Sequence, residues 1–290
     1  MEYGDRYQHI PRPQYDCLLF DVDDTLYPLN SGLSKDVTNN IIEYMSNKLG
    51  IKDKVTELNF QLYKDYGTTM AGLKAIGYDF DYDDFHSFVH GRLPYEILKP
   101  DPVLKSLLQS LPVRKVIFSN ANEEHVASIL GRLGLEDCFE GVISFETLNP
   151  MKKTDLLDDE NDVNSNGSKQ RPILTSEINV FNTETNVEVP KTPVVCKPFE
   201  AAFELAFKTA NIDPQRTLFF DDSIRNLETA KLMGLHTVLV GSSHKTKGVD
   251  YALESIHNIR EALPELWESI KMTEEVCYAE AVAIETQVRA

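Results

Sequence analysis

Cysteine is scarce in this chain, and its four cysteines lie too far apart to form a recognisable metal-binding or disulfide motif. Cys17, Cys138, Cys196 and Cys277 include no CxxC pair. Zinc sites and disulfide frameworks show short, repeated cysteine spacings. We therefore expect free thiols in a reducing compartment, the cytoplasm or the nucleus, and no structural zinc site.

Long apolar runs and an excess of positive charge are also missing. Residues 1–16 contain no apolar segment, and no uncharged run is long enough to cross a bilayer, so we expect neither a secretory signal nor a membrane partner. The 290 residues include 29 Lys and Arg against 46 Asp and Glu, a formal net charge of −17. This balance disfavours a broad nucleic-acid surface, which needs clustered positive charge. It permits binding of a small phosphate, since a metal ion and one lysine create a local positive site.

Short apolar runs alternate with segments of helical period over much of the chain. The runs occupy 15–20, 113–118, 141–145, 217–220 and 236–240, and two helical segments occupy 123–135 and 199–212. A continuous apolar run suits a strand that is buried on both faces of a parallel sheet. The alternation predicts an α/β fold with a doubly wound, Rossmann-like parallel sheet.

Two stretches depart from this alternation. Between the first and second runs, the pattern indicates several consecutive helices, which predicts an all-helical (type-1) cap inserted into the core. Residues 151–193 are polar and lack helical period, so we expect a long loop insertion or a disordered segment. The expected division is a core at 15–27 and 112–268, a cap at 28–111, and tails at 1–14 and 269–290.

The sharpest motif is DVDDTL at 21–26, directly after the first apolar run. It places two carboxylates at the carboxyl edge of a parallel sheet, where open α/β folds bind ligands. Asp21 can attack phosphorus while Asp23 reaches the leaving-group oxygen, which requires one ionised carboxylate and one able to carry a proton. Thr25 can hydrogen-bond a phosphate oxygen or the turn itself. The alternative is a solvated acidic turn.

Three further motifs follow later strands, in chain order. Ser119 and Asn120 can bind phosphate oxygens, and Lys197 can neutralise charge on a transferring phosphoryl group. Asp221 and Asp222, beside the first two aspartates, make an oxygen-rich site that suits Mg²⁺, and the lack of His and Cys in these motifs disfavours zinc. Each motif alone also fits an ordinary helix start or a surface residue.

Together, the four motifs resemble those of the haloacid dehalogenase superfamily. The resemblance implies that Asp21 is the nucleophile, Asp23 the general acid/base, Ser119 the phosphate-binding hydroxyl and Lys197 the electrostatic stabiliser. It also implies that Asp222 binds Mg²⁺ directly, that Asp221 lies behind it or shares the ion through water, and that Asp23 offers its backbone carbonyl. Dehalogenases lack an acid two residues after the nucleophile, so Asp23 favours phosphate chemistry.

Several segments resemble the pyrimidine 5′-nucleotidase branch, notably its plant members: YPLNSG, YGTTMAGL, HGRLPYE, RLGLEDCFEGVISFETLNP, and GLHTVLVG with residues 250–268. The implied substrates are pyrimidine nucleoside 5′-monophosphates such as UMP and CMP. Thr68, Thr69, Arg92 and Tyr95 are cap residues that could meet a base or ribose; cap packing is the alternative. Phe199 and Asn122 depart from the family pattern, Phe199 where a small polar residue is usual and Asn122 where an acidic one is commoner.

Two other functions share these features. A phosphomutase would pass the phosphoryl group to a sugar, and another small phosphorylated metabolite such as a sugar phosphate could replace the nucleotide. A non-catalytic interaction protein would use 151–193 for docking, although it would not need all four motifs. The sequence does not indicate an oligomeric state.

Overall fold

The structure, a computed structural model, describes residues 14–150, 178–182 and 187–267. Within these ranges, six parallel strands form a sheet in the order β3-β2-β1-β6-β7-β8. The strands are β1 (Cys17–Phe20), β2 (Arg114–Phe118), β3 (Gly141–Ile143), β4 (Ile178–Asn182), β5 (Val187–Thr192), β6 (Thr217–Asp221), β7 (His236–Val240) and β8 (Tyr251–Leu253). The predicted strands and the doubly wound class are confirmed, and β8 is an addition.

Helices cover both faces of this sheet, as the apolar runs require. The helices are α1 (Leu33–Asn47), α2 (Val55–Tyr66), α3 (Thr69–Ala75), α4 (Tyr82–Val89), α5 (Pro102–Gln109), α6 (Glu123–Leu133), α7 (Phe145–Leu148), α8 (Glu200–Ala210), α9 (Ile224–Leu232) and α10 (Ile259–Ala262). Side chains of β1 alternate between two apolar clusters: Leu18 and Phe20 lie in one and Cys17 and Leu19 in the other. This alternation follows from the two-residue period of a strand.

A separate apolar cluster holds α1 to α4 together and forms the helical cap. Tyr44 is its aromatic centre, with edge-on contacts to Phe80, Phe85 and Phe88. The helix α5, which falls inside the 28–111 segment expected as cap, instead packs into the core through Leu104 and Leu108. Its amphipathic face points to the sheet, so the cap helices proper end with α4.

The expectation of an irregular loop over 151–193 is wrong for its described part. β4 and β5 pair as an antiparallel hairpin, and they pack against α2 and α3 of the cap. Thr192, which is buried, donates its hydroxyl to the carbonyl oxygen of Ala71 at 2.8 Å. Backbone pairing outweighs the polar composition here, since each strand contains at least two β-favouring apolar residues, Val180 and Phe181 in one and Val187 and Val189 in the other. Residues 151–177 and 183–186 lie outside the described residues.

Three features place the cap over the sheet edge. Ser34 of α1 donates to Asp24 at 2.6 Å, and Arg225 of α9 donates to the carbonyl oxygen of Lys64 at 2.7 Å. Gly67 ends α2 with φ +80°, and a Cβ there would collide with the carbonyl oxygen of Lys197. Only glycine permits both this backbone conformation and this close approach.

Two sequence expectations concern the described residues as a whole. Cys17, Cys138 and Cys196 are free, buried thiols, as expected, while Cys277 lies outside the described residues. No helix in the described part of the chain is long and apolar enough to cross a membrane.

Candidate active site

The predicted site residues meet at the carboxyl edge of three neighbouring strands. β1 lies between β2 and β6, in a register that aligns Phe20 with Ile117 and Phe220. Asp21, Ser119 and Asp221 therefore lie side by side, because each stands at or just beyond the end of its strand. Parallel strands present their carboxyl ends at one edge, which explains why distant motifs converge there.

Lys197 is the buried cation at the centre of this group. Its ammonium donates to Asp21 Oδ1 at 2.7 Å, to Asp221 Oδ2 at 2.9 Å and to the carbonyl oxygen of Phe118 at 2.7 Å. The side chain is 1% exposed, and its three protons are all used. Burial lowers the pKa of Lys197, but the charges of Asp21 and Asp221 outweigh it, so its pKa lies above the usual value.

Asp21, Asp221 and Asp222 form a crowded carboxylate group. Each offers one oxygen within 4.8 Å of the others, the one such cluster of potential metal ligands in the described ranges. Burial, opposed by Lys197 and reinforced by Asp221, raises the pKa of Asp21 to about 7. Asp222 reaches solvent at the site, yet protein surrounds much of its carboxyl group. This desolvation and the charges of Asp221 and Asp21 raise its pKa to about 8.

Three carboxylates against one lysine leave an excess of negative charge, which adds to the effect of burial on the pKa values of Asp21 and Asp222. A divalent cation with a preference for oxygen ligands fits this donor set, since Mg²⁺ is held by few carboxylates and keeps several waters. The cluster contains no histidine or cysteine, the ligands that zinc prefers, so it fits zinc poorly.

Asp221 and Asp222 differ in how far hydrogen bonds already occupy their carboxylate oxygens. Asp221 is fully buried and accepts from Lys197, from the backbone N–H of Ser223 at 2.8 Å and from the Asn226 amide at 3.0 and 3.1 Å. Asp222 lines the open cavity beside Asp21. The carboxylate free to take a metal is therefore Asp222, and Asp221 is held behind it.

Asp23 is not part of this carboxylate cluster and has different partners. Its Oδ1 accepts from the Tyr27 hydroxyl at 2.6 Å and lies 2.8 Å from Nε2 of His125. Burial raises the pKa of Asp23, but the charge and hydrogen bond of His125 and the bond from Tyr27 prevail, so its pKa lies below the usual value. The two aspartates thus have different environments, although Asp21 is the one that holds a proton more readily.

The three predicted phosphate-binding residues of the core occupy unequal positions. Ser119 is fully buried, borders the cavity and accepts from the N–H of Ala121 at 3.1 Å. Thr25 is buried, and its hydroxyl lies 3.5 Å from Asp21 Oδ2. The Asn120 side chain is engaged with the backbone of Lys197, through bonds of 2.8 and 3.0 Å. Asn120 therefore fixes the lysine, and its amide has little freedom to bind phosphate.

The predicted cap residues are not brought together. Thr68 and Thr69 border the cavity: Thr68 caps α3 through the N–H of Ala71 at 3.1 Å, and Thr69 donates to Asn59 at 2.7 Å. Arg92 lies outside the cavity lining, paired with Glu43 at 2.7 Å and stacked on an aromatic ring.

Tyr95 also lies outside the cavity lining, where its hydroxyl is 2.7 Å from His125. Its ring packs against the core, so stacking on a substrate base is not supported in this structure.

A cavity of about 500 Å³ opens between the cap and the strand ends. Asp21, Asp23, Ser119, Lys197 and Asp222 form its floor. Its upper wall combines apolar and polar residues: the apolar ones include Ile41, Phe60, Tyr63, Phe85, Val89 and Phe145, and the polar ones include Thr38, Asn59, Thr69, His86 and His90. Lys197 is the one lysine or arginine in this lining, so the cavity offers the charge for a single phosphate group.

Several contacts in and around the site involve residues outside the four sequence motifs. Phe199 occupies the N-cap position of α8 and packs against the apolar cluster of the helical cap. Asn122 forms a hydrogen bond of 2.6 Å with His90. Tyr27, His125 and Asn226 each bind a motif aspartate. Tyr27 lies four residues from its partner, a spacing of about one turn that could have suggested the contact. Asn226 lies five residues from Asp221, which matches no regular spacing. His125 is 102 residues from Asp23, and no local signal marks it.

Comparisons with known proteins agree with this architecture. No protein-family model matches the chain. Phosphate metabolism protein 8 of Saccharomyces cerevisiae is 28% identical over 141 residues, 46% of this chain and 44% of the relative. The match thus spans less than half of that relative's length.

Solved structures align over most of the chain at low identity. CbbY from Rhodobacter sphaeroides, in complex with phosphate, is 15% identical and aligns over 87% of this chain and 99% of its own, with a TM-score of 0.50. A phosphatase from Thermococcus onnurineus is 16% identical over 85% of this chain and 96% of its own, with a TM-score of 0.48. The likeness to CbbY is one of fold.

Proposed function

We propose that this chain, which has the fold of the haloacid dehalogenase-like hydrolases, is a Mg²⁺-dependent phosphomonoester hydrolase that acts through an aspartyl-phosphate intermediate. The observation that carries the proposal is the convergence of Asp21, Asp23, Ser119, Lys197 and Asp222 on one cavity. Each alone has an ordinary structural explanation, but a nucleophile, an acid/base, a hydroxyl, a cation and a metal ligand in one place constitute a phosphoryl-transfer site.

In the first step, an oxygen of Asp21 attacks phosphorus and the ester bond breaks. Lys197 already donates to Asp21 and is fixed by its other two bonds, so its charge is held in place as the transition state forms. Asp23 gives its proton to the leaving oxygen, which departs as an alcohol. The bound phosphate favours this proton on Asp23, because a like charge nearby opposes the ionised carboxylate.

In the second step, water attacks the phosphorus of the aspartyl-phosphate. Asp23 takes a proton from that water, the bond to Asp21 breaks, and inorganic phosphate leaves. Asp21, Asp222 and the backbone carbonyl of Asp23 would hold Mg²⁺, with Asp221 orienting the site from behind. When bound, Mg²⁺ supplies positive charge that offsets the phosphate oxygens.

For the substrate, we propose pyrimidine nucleoside 5′-monophosphates such as UMP and CMP. The apolar and aromatic side chains in the upper wall of the cavity suit a flat, uncharged leaving group, and the single lysine of the lining suits one phosphate. The segments that resemble pyrimidine 5′-nucleotidases support this choice. The names of two similar proteins also point to phosphate: the yeast relative is a phosphate metabolism protein, and the CbbY structure holds phosphate.

The cavity lining disfavours one rival function. A mutase that passes its phosphoryl group to a sugar phosphate must hold a second phosphate, and the lining has no cation besides Lys197 for it. A docking role through 151–193 has less support, because β4 and β5 pack against the cap.

A substrate panel tests the proposal. We expect phosphate release from UMP and CMP that depends on Mg²⁺, and weaker release from AMP, pyridoxal phosphate and sugar phosphates. Activity on sugar phosphates with none on UMP or CMP would overturn the nucleotide assignment alone. Absence of Mg²⁺-dependent release from the whole panel would overturn the phosphatase assignment.

A further inference from the structure

His125 is a buried histidine to which the proposed function assigns no role. It lies on the inner face of α6, is 1% exposed, and contacts Asp23 through Nε2 at 2.8 Å. Its other ring nitrogen, Nδ1, lies 2.7 Å from the hydroxyl of Tyr95. Both polar atoms of the ring are therefore engaged, one of them by the candidate acid/base.

The partners of His125 determine its proton arrangement. An ionised Asp23 can only accept, so Nε2 carries the proton that is shared with it. Nδ1 shares a proton with the hydroxyl of Tyr95, which accepts from a charged ring and donates to a neutral one. In either form the Tyr95 hydroxyl keeps Nε2 turned towards Asp23, as a second partner commonly does for a functional histidine.

The hydrogen bonds of Asp23 are asymmetric. Tyr27 and His125 both bind Oδ1, at 2.6 and 2.8 Å. Among the residues that the structure describes, no donor is recorded for Oδ2, and Asp23 borders the cavity. One oxygen is anchored, and the other remains available to a substrate oxygen or to water.

We propose that His125 is a positioning residue, which holds Asp23 so that Oδ2 faces the reacting oxygen, and that Tyr95 orients His125 for this task. The inference rests on the proposed function, because it needs Asp23 to transfer a proton. It predicts that His125 and Tyr95 matter most for phosphomonoesters with a poor leaving group, such as an alkyl alcohol or a nucleoside.

The packing around His125 supports a fixed ring. His90 of the cap stacks on it with ring centroids 4.2 Å apart, and His90 is itself bonded to Asn122 at 2.6 Å. Rotation of the His125 ring would break its contact with Tyr95 and disturb this stack. A carboxylate held by a fixed ring spends more time in the productive orientation than a free one.

The experiment compares two substrates with different leaving groups in His125→Ala, His125→Gln and Tyr95→Phe. With UMP, proton donation assists departure, so we expect His125→Ala to lower kcat by about 10²-fold with a small change in KM. With p-nitrophenyl phosphate, whose leaving group needs no proton, we expect a smaller loss in the rate of the first step, measured as a burst of p-nitrophenol.

The other variants make the test independent of folding. The amide of Gln keeps a donor near Asp23, so His125→Gln should recover part of kcat, and Tyr95→Phe, which loses only a hydroxyl, should show a weaker form of the same leaving-group dependence. His257→Ala is the matched control, because His257 pairs with Asp101 at the same 2.8 Å distance away from the site.

Equal losses for both substrates, or unchanged UMP turnover in all three variants, would overturn the inference. These outcomes differ from failure of the proposed function, in which the unmodified chain itself releases no phosphate or Asp21→Asn retains full activity.

Discussion

The two sides of the site shift the pKa values of their carboxyl groups in opposite directions. The carboxylate side consists of Asp21, Lys197, Asp221 and Asp222. The histidine side consists of Asp23, Tyr27, Tyr95 and His125. On the first, three carboxylates share one ammonium, and the pKa values of Asp21 and Asp222 rise to about 7 and 8. On the second, one carboxylate has two donors on a single oxygen, and the pKa of Asp23 falls below its usual value.

The difference shows what each side still needs. The carboxylate side lacks positive charge, which a divalent cation would supply. On the histidine side, Oδ1 of Asp23 already has two partners, so the contribution of this side is orientation.

Asp21→Asn removes the nucleophile, and we expect the largest loss. Turnover of UMP should fall by about 10⁴-fold or more, as it does when a covalent nucleophile is removed. The fold should persist, because Lys197 keeps its bonds to Asp221 and Phe118. Phosphate release and thermal unfolding check the two statements. Asp53→Asn, in an exposed turn, is the control, and substantial turnover by Asp21→Asn would contradict the mechanism.

Lys197→Met should damage both activity and stability. It removes the charge that opposes phosphate, so kcat should fall by about 10²- to 10³-fold. It also leaves two buried carboxylates unpaired, and the free energy of unfolding should fall by about 3 kcal/mol or more. Denaturant unfolding measures this loss. Lys231→Met is the matched control, because its pair with Asp250 is partly exposed and should contribute no more than about 1 kcal/mol. Equal losses in the two variants would refute the central place of Lys197.

Asp222→Asn tests which carboxylate takes the metal. We expect the Mg²⁺ concentration for half-maximal activity to rise by about tenfold or more, because a hard cation loses an anionic ligand. His125→Ala, on the histidine side, should leave this concentration nearly unchanged. An equal shift of this Mg²⁺ concentration in both variants would contradict the contrast between the two sides.

The stability of the metal-free chain should depend on pH through the carboxylate side. The pKa of Asp21 is about 7 and that of Asp222 about 8, both above the usual 3.8, so the folded state binds more protons than the unfolded state. Their contribution is therefore present below pH 3.8 and is lost as pH rises towards 7 and 8. Melting temperatures with chelator should fall across this window more steeply than in Asp222→Asn, and Mg²⁺ should flatten the fall. Identical profiles in all three conditions would contradict this origin.

Phe60→Ala should have the smallest effect. Phe60 is 64% exposed and borders the cavity from the cap, so its loss should raise KM for UMP by about threefold to tenfold with little change in kcat. Ile76→Ala, an exposed cap residue outside the lining, serves as the control. A fall in kcat with constant KM would place Phe60 in the chemistry instead.

The core side of the site was predictable from the sequence because its residues follow apolar strands. Asp21, Ser119 and Asp221 could be placed at one sheet edge from strand order alone, and Lys197 came with the motif set. Asn120 is predicted from the sequence to bind phosphate, because it follows a strand in a Ser-Asn turn, and this pattern does not reveal the backbone of Lys197 as its partner. The structure selects backbone bonding.

The cap side was less predictable, since side-chain direction there depends on tertiary packing. Arg92 and Tyr95 are plausible substrate contacts by residue type, but Glu43 and His125 engage them instead. The hairpin β4-β5 is not evident from the sequence, because its short strands lie in a segment of mostly polar composition.

The most direct measurement of the central claim is an acid quench during turnover of UMP with Mg²⁺, followed by mass spectrometry of the peptide that contains Asp21. We expect a phosphoryl group on Asp21 during turnover, and none in Asp21→Asn or without Mg²⁺. Steady release of phosphate with no phosphoryl group on Asp21, in a quench fast enough to trap one turnover, would contradict it.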